Sequence, residues 1–221
     1  MRCSLLLDII NRTKENGMQF DVVYDIGACT GNFSRWMKNS VLPDANYYLF
    51  EANIAYLPTL IEPRFNSFIT TLSNEDGKEV DFWVGLNTGD SYYKETTTIY
   101  DNKEVKRMTC TTLDKMIADK NLPIPNFLKI DTQGSELDIL SAAKSIMGKT
   151  EMILCECPII EYNKGAPNIN QYLSFFRDHD YIPVEVTQIH RAEDTVLQID
   201  LIFMLRSAKS QFLSENRVIR V

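Results

Sequence analysis

Short apolar runs alternate along the chain with segments of helical periodicity, and this alternation constrains the fold more than any other feature. Val22-Val23-Tyr24-Asp25-Ile26 is a β-branched run stopped by Gly27, the pattern of a strand buried on both faces. Phe33, Trp36, Met37 and Val41 follow at helical spacing, which predicts a helix capped by Asn32 or Thr30 and ended before Pro43. The pattern then repeats. Residues 47–50 read as a second strand, 54–61 as a short helix interrupted by Pro58, and 67–72 as a third strand. Residues 127–131 and 152–157 are further strands, each followed by a helix whose apolar face is spelled by Leu137, Leu140, Ala143 and Met147, then by Ile169, Tyr172, Leu173 and Phe176. Two long strands, 181–189 and 196–205, close the series. Strand–helix alternation implies an α/β fold, a mostly parallel sheet with helices on both faces. Right-handed crossovers make it doubly wound and Rossmann-like, and the terminal hairpin adds an antiparallel strand.

The flanks and the middle are less regular. Residues 1–20 read as an N-terminal helix and 206–221 as a C-terminal tail. Residues 80–84 alternate like an exposed edge strand. Residues 86–108 form an irregular, polar and aromatic region, and 111–120 open and run a helix closed by Pro123 and Pro125. At 221 residues the whole of 1–221 reads as a single domain.

Charge and cysteine usage exclude several classes. The chain has 23 Lys and Arg against 30 Asp and Glu, a net charge of −7, which argues against nucleic-acid and anionic-membrane partners. No apolar run approaches the ~20 residues of a membrane span. The apolar start is broken by Asp8, too early for a signal peptide. Five cysteines at positions 3, 29, 110, 155 and 157 lack framework spacing and imply reduced thiols in a cytoplasmic protein. A homo-oligomer remains open.

Ligands of such sheets sit at the carboxyl ends of the strands, so the residues ending strands are the candidates. Asp25-Ile26-Gly27-Ala28-Cys29-Thr30-Gly31-Asn32-Phe33 ends the first. It is neither a phosphate loop, which needs a Lys after its second glycine, nor GxGxxG. Asp25 would repel a pyrophosphate but suits an ammonium group. Glu51 ends the second strand twenty residues after Gly31, where a carboxylate can accept both hydroxyls of a ribose. The pair asks for an adenosine carrying a cationic amino-acid end, which S-adenosylmethionine provides. Two structural glycines and a solvated carboxylate are the plainer alternative.

The order of motifs resembles the FkbM-type family of S-adenosylmethionine-dependent methyltransferases. The residues carrying it are the 25–34 loop, Phe50-Glu51-Ala52-Asn53, Thr112-Leu113-Asp114, the segment 127–140 containing Lys129-Ile130-Asp131-Thr132-Gln133-Gly134-Ser135-Glu136, Tyr162-Asn163, His190-Arg191 and residues 198–203. The resemblance implies a seven-stranded sheet of the class I methyltransferase kind and methyl transfer to an oxygen of a saccharide, glycoconjugate or natural-product acceptor. It implies Asp25, Gly27, Ala28, Gly31, Asn32 and Phe33 around the methionine end, Glu51 on the ribose with Asn53 beside it, and Ser73 near the adenine.

Asp131 ends the fourth strand, where an acceptor hydroxyl would be oriented or deprotonated, or a metal held; capping the next helix is the structural alternative. Glu136 reads as a support for that loop through backbone amides. Glu156 sits inside an apolar strand, where an unpaired carboxylate is rarely tolerated. It could share a proton with Asp131, bind a divalent cation with it, or pair with a helix Lys or Arg. Cys155 and Cys157 share a strand face and read as packed thiols rather than a zinc site. His190 is a candidate base at the end of the sixth strand, whereas His179 lies in a charged helix end. Residues 89–95, Gly-Asp-Ser-Tyr-Tyr-Lys-Glu, read as a lid over an acceptor. Two other readings stand: a nicotinamide-dependent oxidoreductase, disfavoured by the missing GxGxxG, and a non-catalytic binding module.

Overall fold

A computed structural model describes residues 3–85, 89–96 and 104–208. In chain order the elements are helix α1 (Cys3–Glu15), strand β1 (Val22–Ile26), α2 (Asn32–Ser40), β2 (Asn46–Glu51), a 3-10 turn (Ile54–Tyr56), α3 (Leu57–Leu60), β3 (Phe65–Ile69) and β4 (Thr71–Leu72). Then come β5 (Glu79–Val84), β6 (Glu104–Thr111), α4 (Leu113–Lys120), β7 (Phe127–Ile130), α5 (Glu136–Ser141), β8 (Met152–Pro158), α6 (Ile169–Asp178), β9 (Tyr181–Ala192) and β10 (Thr195–Leu205). Seven strands form one sheet in the order β3-β2-β1-β7-β8-β10-β9. The first four pairings are parallel, and β10 runs antiparallel to both of its neighbours. The doubly wound sheet with its antiparallel C-terminal strand is as the alternation predicts. No helix among the described residues is long and apolar enough to cross a membrane.

The central strands explain why the sheet is stable. Val23, Tyr24, Ile26, Phe127, Leu128, Ile130, Ile153 and Cys155 are all within 1% of full burial, as expected of strands covered by helices on both faces. On the β10 side, α6 buries Tyr172 and Phe176, and the Phe176 ring stacks on Phe203 with centroids 3.7 Å apart. Truncating such a ring to alanine typically costs about 3–5 kcal/mol.

Four local expectations are corrected. Residues 67–72 are two strands: Thr70 N donates to Glu51 O (2.8 Å), and Thr71 and Leu72 then leave the large sheet to pair with β6. The irregular region 86–108 contains the start of β6, the middle strand of a second sheet ordered β4-β6-β5. Its polar faces show no apolar alternation, and charge pairs lace it instead, with Arg107 3.2 Å from Glu79 and 3.0 Å from Asp81. The residue capping α2 is Gly31, at φ 78°, with no side-chain cap from Asn32 or Thr30. Pro58 sits in the first turn of α3, where its missing N–H removes no helical bond, rather than interrupting it. The N-terminal helix ends at Glu15, and of the expected tail 206–221 all but a single turn at Arg206–Ala208 lies outside the described residues.

One backbone contact sets the geometry of everything that follows. Gly27 (φ 76°) crosses the end of β7 so closely that a Cβ would lie 1.9 Å from Asp131 O. Asp131 N also donates to Ile26 O at 3.1 Å. Only glycine permits both the conformation and the approach.

Candidate active site

A cavity of about 350 Å³ opens at the carboxyl ends of β1, β2, β7 and β8. That is within the range of small-molecule sites. The segment 89–96 roofs it and is stitched at both margins. Ser91 exchanges backbone bonds with Trp83 and donates its hydroxyl to Gln133 O (2.9 Å); Tyr92 and Tyr93 both donate to Asp138 Oδ2 (2.9 and 3.0 Å). Thr96 N donates to Tyr162 O (2.8 Å), and Glu95 bridges to Asn163. The segment read as a lid is therefore a docked roof in this structure.

Glu51 forms one wall. Its Oε2 accepts from Cys29 N and its Oε1 from Asn53 N, both at 2.7 Å, so the carboxylate ties the β1 loop to the end of β2 and is held in one orientation. Burial pushes its carboxyl above the ordinary range, and the two amides oppose that push. Asn53 passes the order outward: its Nδ2 donates to Asp90 Oδ2 (2.7 Å), whose other oxygen accepts from Gly85 N. Tyr56, Asp90 and Tyr92 complete this end.

The opposite wall is a network of carboxylates centred on Gln133. Its Nε2 donates to Asp131 Oδ1 (3.0 Å) and to Glu156 Oε2 (2.6 Å), while its Oε1 accepts from Tyr162 (3.2 Å). Gln198 donates to the other Glu156 oxygen. Gln133 holds a left-handed φ of 57°, unusual for a side-chain-bearing residue and common where a site over-determines the backbone. Beneath, the buried Lys129 ammonium lies 3.4 Å from both Asp131 Oδ2 and Asp25 Oδ1 and donates to Gly27 O (3.2 Å). Burial works against the charge of Lys129, but Asp131, Asp25 and Glu156 outweigh it and hold the group protonated. Burial likewise opposes ionisation of Asp131, yet Lys129 and Gln133 hold its carboxyl below the ordinary range. Glu156 moves the other way, raised well above its ordinary value by burial and then by the charges of Asp131, Asp200 and Glu136. The two carboxyls are thus pushed in opposite directions, Asp131 releasing its proton more readily than an ordinary carboxyl and Glu156 less readily. His190 closes this wall, its Nε2 3.0 Å from Asp200 Oδ1 and 3.9 Å from Glu156 Oε1.

The structure brings Asp131, Glu156, His190, Glu51 and Gly27 together around one cavity. It corrects the placing of Asp25. That side chain is fully buried and outside the cavity wall, accepting from Ser34 Oγ (2.6 Å) and facing an ammonium supplied by the chain's own Lys129. Ala28, Gly31, Asn32, Phe33, Asn53 and Ser73 also lie behind the lining: Phe33 stacks on Phe127, Asn32 binds Arg35, and Ser73 contacts the Tyr92 hydroxyl at 3.3 Å. Asp131 caps no helix. Glu136 does take the amides of Thr132 (2.6 Å) and Gly134 (3.0 Å), and Tyr172 donates to it. Glu156 meets two glutamines and a histidine rather than a helix cation. Cys155 and Cys157 are buried, free and bonded to backbone carbonyls. His179 ends α6, where its Nδ1 bonds to Phe175 O (2.8 Å) and its ring packs on Phe175, and it is not among the residues lining the cavity. Two sets of ligand atoms, Glu156–His190–Asp200 and Asp131–Glu136–Glu156, each converge within 4.8 Å, the donor chemistry a divalent cation would use.

Sequence reasoning assigned no role to Lys129, Gln133, Gln198, Tyr162 and Asp200. Their signals were a lone Lys inside the apolar run Phe127–Ile130 and the place of all five in the segments that carry the family resemblance.

Comparison with known proteins follows this geometry. A sequence model of the methyltransferase FkbM domain matches residues 25–183. The chain is 23% identical over 199 residues to the hexuronic acid methyltransferase AglP of Haloferax volcanii, covering 86% of this chain and 75% of that one. Among solved structures, an O-methyltransferase from Bacillus cereus in complex with S-adenosylhomocysteine superposes with a TM-score of 0.53 at 10% identity, over 92% of this chain and 80% of that one. The magnesium protoporphyrin IX methyltransferase ChlM from Synechocystis does so with a TM-score of 0.51 at 7% identity, over 91% and 77%. At these identities the two structures speak for the fold, and the match across residues 25–183 speaks for the family: the chain belongs to the FkbM methyltransferases.

Proposed function

We propose that this enzyme transfers the methyl group of S-adenosylmethionine to a hydroxyl of a saccharide or glycoconjugate. The observation that carries the reading is the pairing of two opposed walls in one roofed cavity: an oriented Glu51 on one side and the Asp131–Gln133–Glu156 network on the other. The donor fits these residues. Each Glu51 oxygen uses one lone-pair direction on a backbone amide and keeps another for a ribose hydroxyl. The carboxylate-rich wall suits a cationic sulfonium. When bound, S-adenosylmethionine supplies an electrophilic methyl group. Asp131, held ionised below the usual range, is a weak base, so its main work is to accept a hydrogen bond from the acceptor hydroxyl and aim its oxygen. Aligning two reactants supplies much of the rate of such a displacement. His190, backed by Asp200, stands on the same wall to take up the proton. The saccharide acceptor draws support from the name of the archaeal relative and from the rings of Tyr56 and Tyr92 in the cavity lining, which offer faces to a sugar.

The test is calorimetric titration with S-adenosylhomocysteine, with NAD as the control ligand, on the wild type and on Asp131→Asn. Binding of the former alone, kept in the variant while turnover falls by about 10²-fold or more, is the expected result. Silence towards S-adenosylhomocysteine, or a variant that loses binding and melts early, removes the reading.

A further inference from the structure

The cavity is lined by Glu51, Asp90, Asp131 and Glu156, with Asp200 directly behind His190. No lysine or arginine lines it among the described residues. The nearest cation, Lys129, lies beneath the floor and is committed to Asp25, Asp131 and Gly27 O. A carboxylate or phosphate brought into this space would lose its hydration and meet carboxyl groups, amides, hydroxyls and phenols, with the one lining imidazole, His190, already facing Asp200 Oδ1 at 3.0 Å. Burying a charge without a partner is strongly unfavourable, and like charges in apposition are a common device for refusing a ligand. A neutral polyol meets no such barrier, because the same oxygens accept its hydroxyls. An ammonium-bearing polyol gains a partner.

We propose that the enzyme selects acceptors by charge, taking neutral or amino sugars and refusing uronic acids and phosphorylated sugars. This rests on the reading above and separates the chain from the substrate class in the name of its archaeal relative. It follows from side chains that line the cavity and not from the shared fold.

The experiment compares three matched acceptors, methyl glucoside, methyl glucuronide and methyl glucosaminide, with radiolabelled S-adenosylmethionine and the full chain. The glucoside or glucosaminide is expected to turn over at least ten-fold faster than the glucuronide. Asp90→Asn and Asp200→Asn, which remove one charge each, are expected to narrow that gap several-fold. A preference for the glucuronide overturns the proposal while leaving methyl transfer to saccharides intact. A gap that neither variant narrows makes the selection steric and overturns it as well. If none of the three is methylated although S-adenosylhomocysteine binds, the saccharide class falls and the charge rule with it. Failure to bind S-adenosylhomocysteine marks failure of the underlying reading instead.

Discussion

Replacing Gly27 with alanine tests whether the β1 loop truly rests on the end of β7. The matched control is Gly148→Ala, because both glycines have φ 76° and a Cβ at Gly148 meets nothing within 4 Å. The left-handed conformation alone penalises an L-residue by about 1–2 kcal/mol, and Gly148→Ala is expected to lose that much. At Gly27 the added carbon overlaps Asp131 O by more than an ångström, since it would stand at 1.9 Å. Relief requires the loop to lift, which strains the bonds from Asp131 N to Ile26 O (3.1 Å) and from Gly27 N to Phe50 O (2.9 Å). Leaving one such buried group unpaired adds about 1–3 kcal/mol. The total is about 2–5 kcal/mol, and with a shift of about 2–4 °C per kcal/mol for a chain of this size the variant should melt about 4–20 °C early. Calorimetric melts of the two variants side by side give the answer. Losses within about 1 kcal/mol of each other would show that the close approach carries no energy and that the argument from Gly27 is wrong.

Three further outcomes are expected. Glu51→Gln retains the fold but weakens S-adenosylhomocysteine binding at least ten-fold by calorimetry, since one of its two oxygens becomes a donor; unchanged affinity would detach Glu51 from the donor. Glu156 carries its proton more tightly in the folded state than in the unfolded chain. Its contribution is therefore complete below about pH 4.3 and is lost as pH rises. Glu156→Gln should gain in urea midpoint over the wild type as pH rises above about 5, and a difference independent of pH would contradict the upward push on Glu156. Removing the roof clasp with Asn53→Ala should raise the Michaelis constant for the acceptor more than that for the donor, and equal effects would make the clasp purely structural.

How far these features are legible in sequence depends on which ones are local. The runs at 22–26, 127–130 and 152–157 announce central strands because burial on both faces leaves a nearly continuous apolar signature, broken only by Asp25, Lys129 and Glu156. Strand β6 is silent for the opposite reason: Arg107 pairs across to Glu79 and Asp81 and Lys106 pairs with Glu104 along its own strand, charge pairs that carry no apolar periodicity. Glu51, Asp131 and His190 can be found because they read as strand ends, where ligands gather, and Glu156 because a lone carboxylate stands out inside an apolar strand. Lys129, Gln198 and Asp200 cannot, because their meaning lies in register. Lys129 stands beside Asp25 on the neighbouring strand, Asp200 beside Glu156 and Gln198 beside His190. Asp25 was therefore given an external ammonium when the structure supplies an internal one. Gln133 belongs with these, since its amide bridges residues 131 and 156 only after β7 and β8 have paired.

The placing of β10 between β8 and β9 also fixes an order of events during translation. The Glu51 wall depends on β1 and β2, which leave the ribosome ahead of the other strands of the large sheet and can zip together while those are still being made. The wall bearing Glu156 cannot. Its neighbours Gln198 and Asp200 ride on β10, the last strand among the described residues, which must slot into a gap flanked by two strands made before it. Until then Glu156 sits on a bare sheet edge, without its glutamine and with no histidine held against it. Nascent chains halted before residue 195 should thus expose an open strand edge to chaperones, and competence for chemistry should arrive in a single late step rather than grow with chain length.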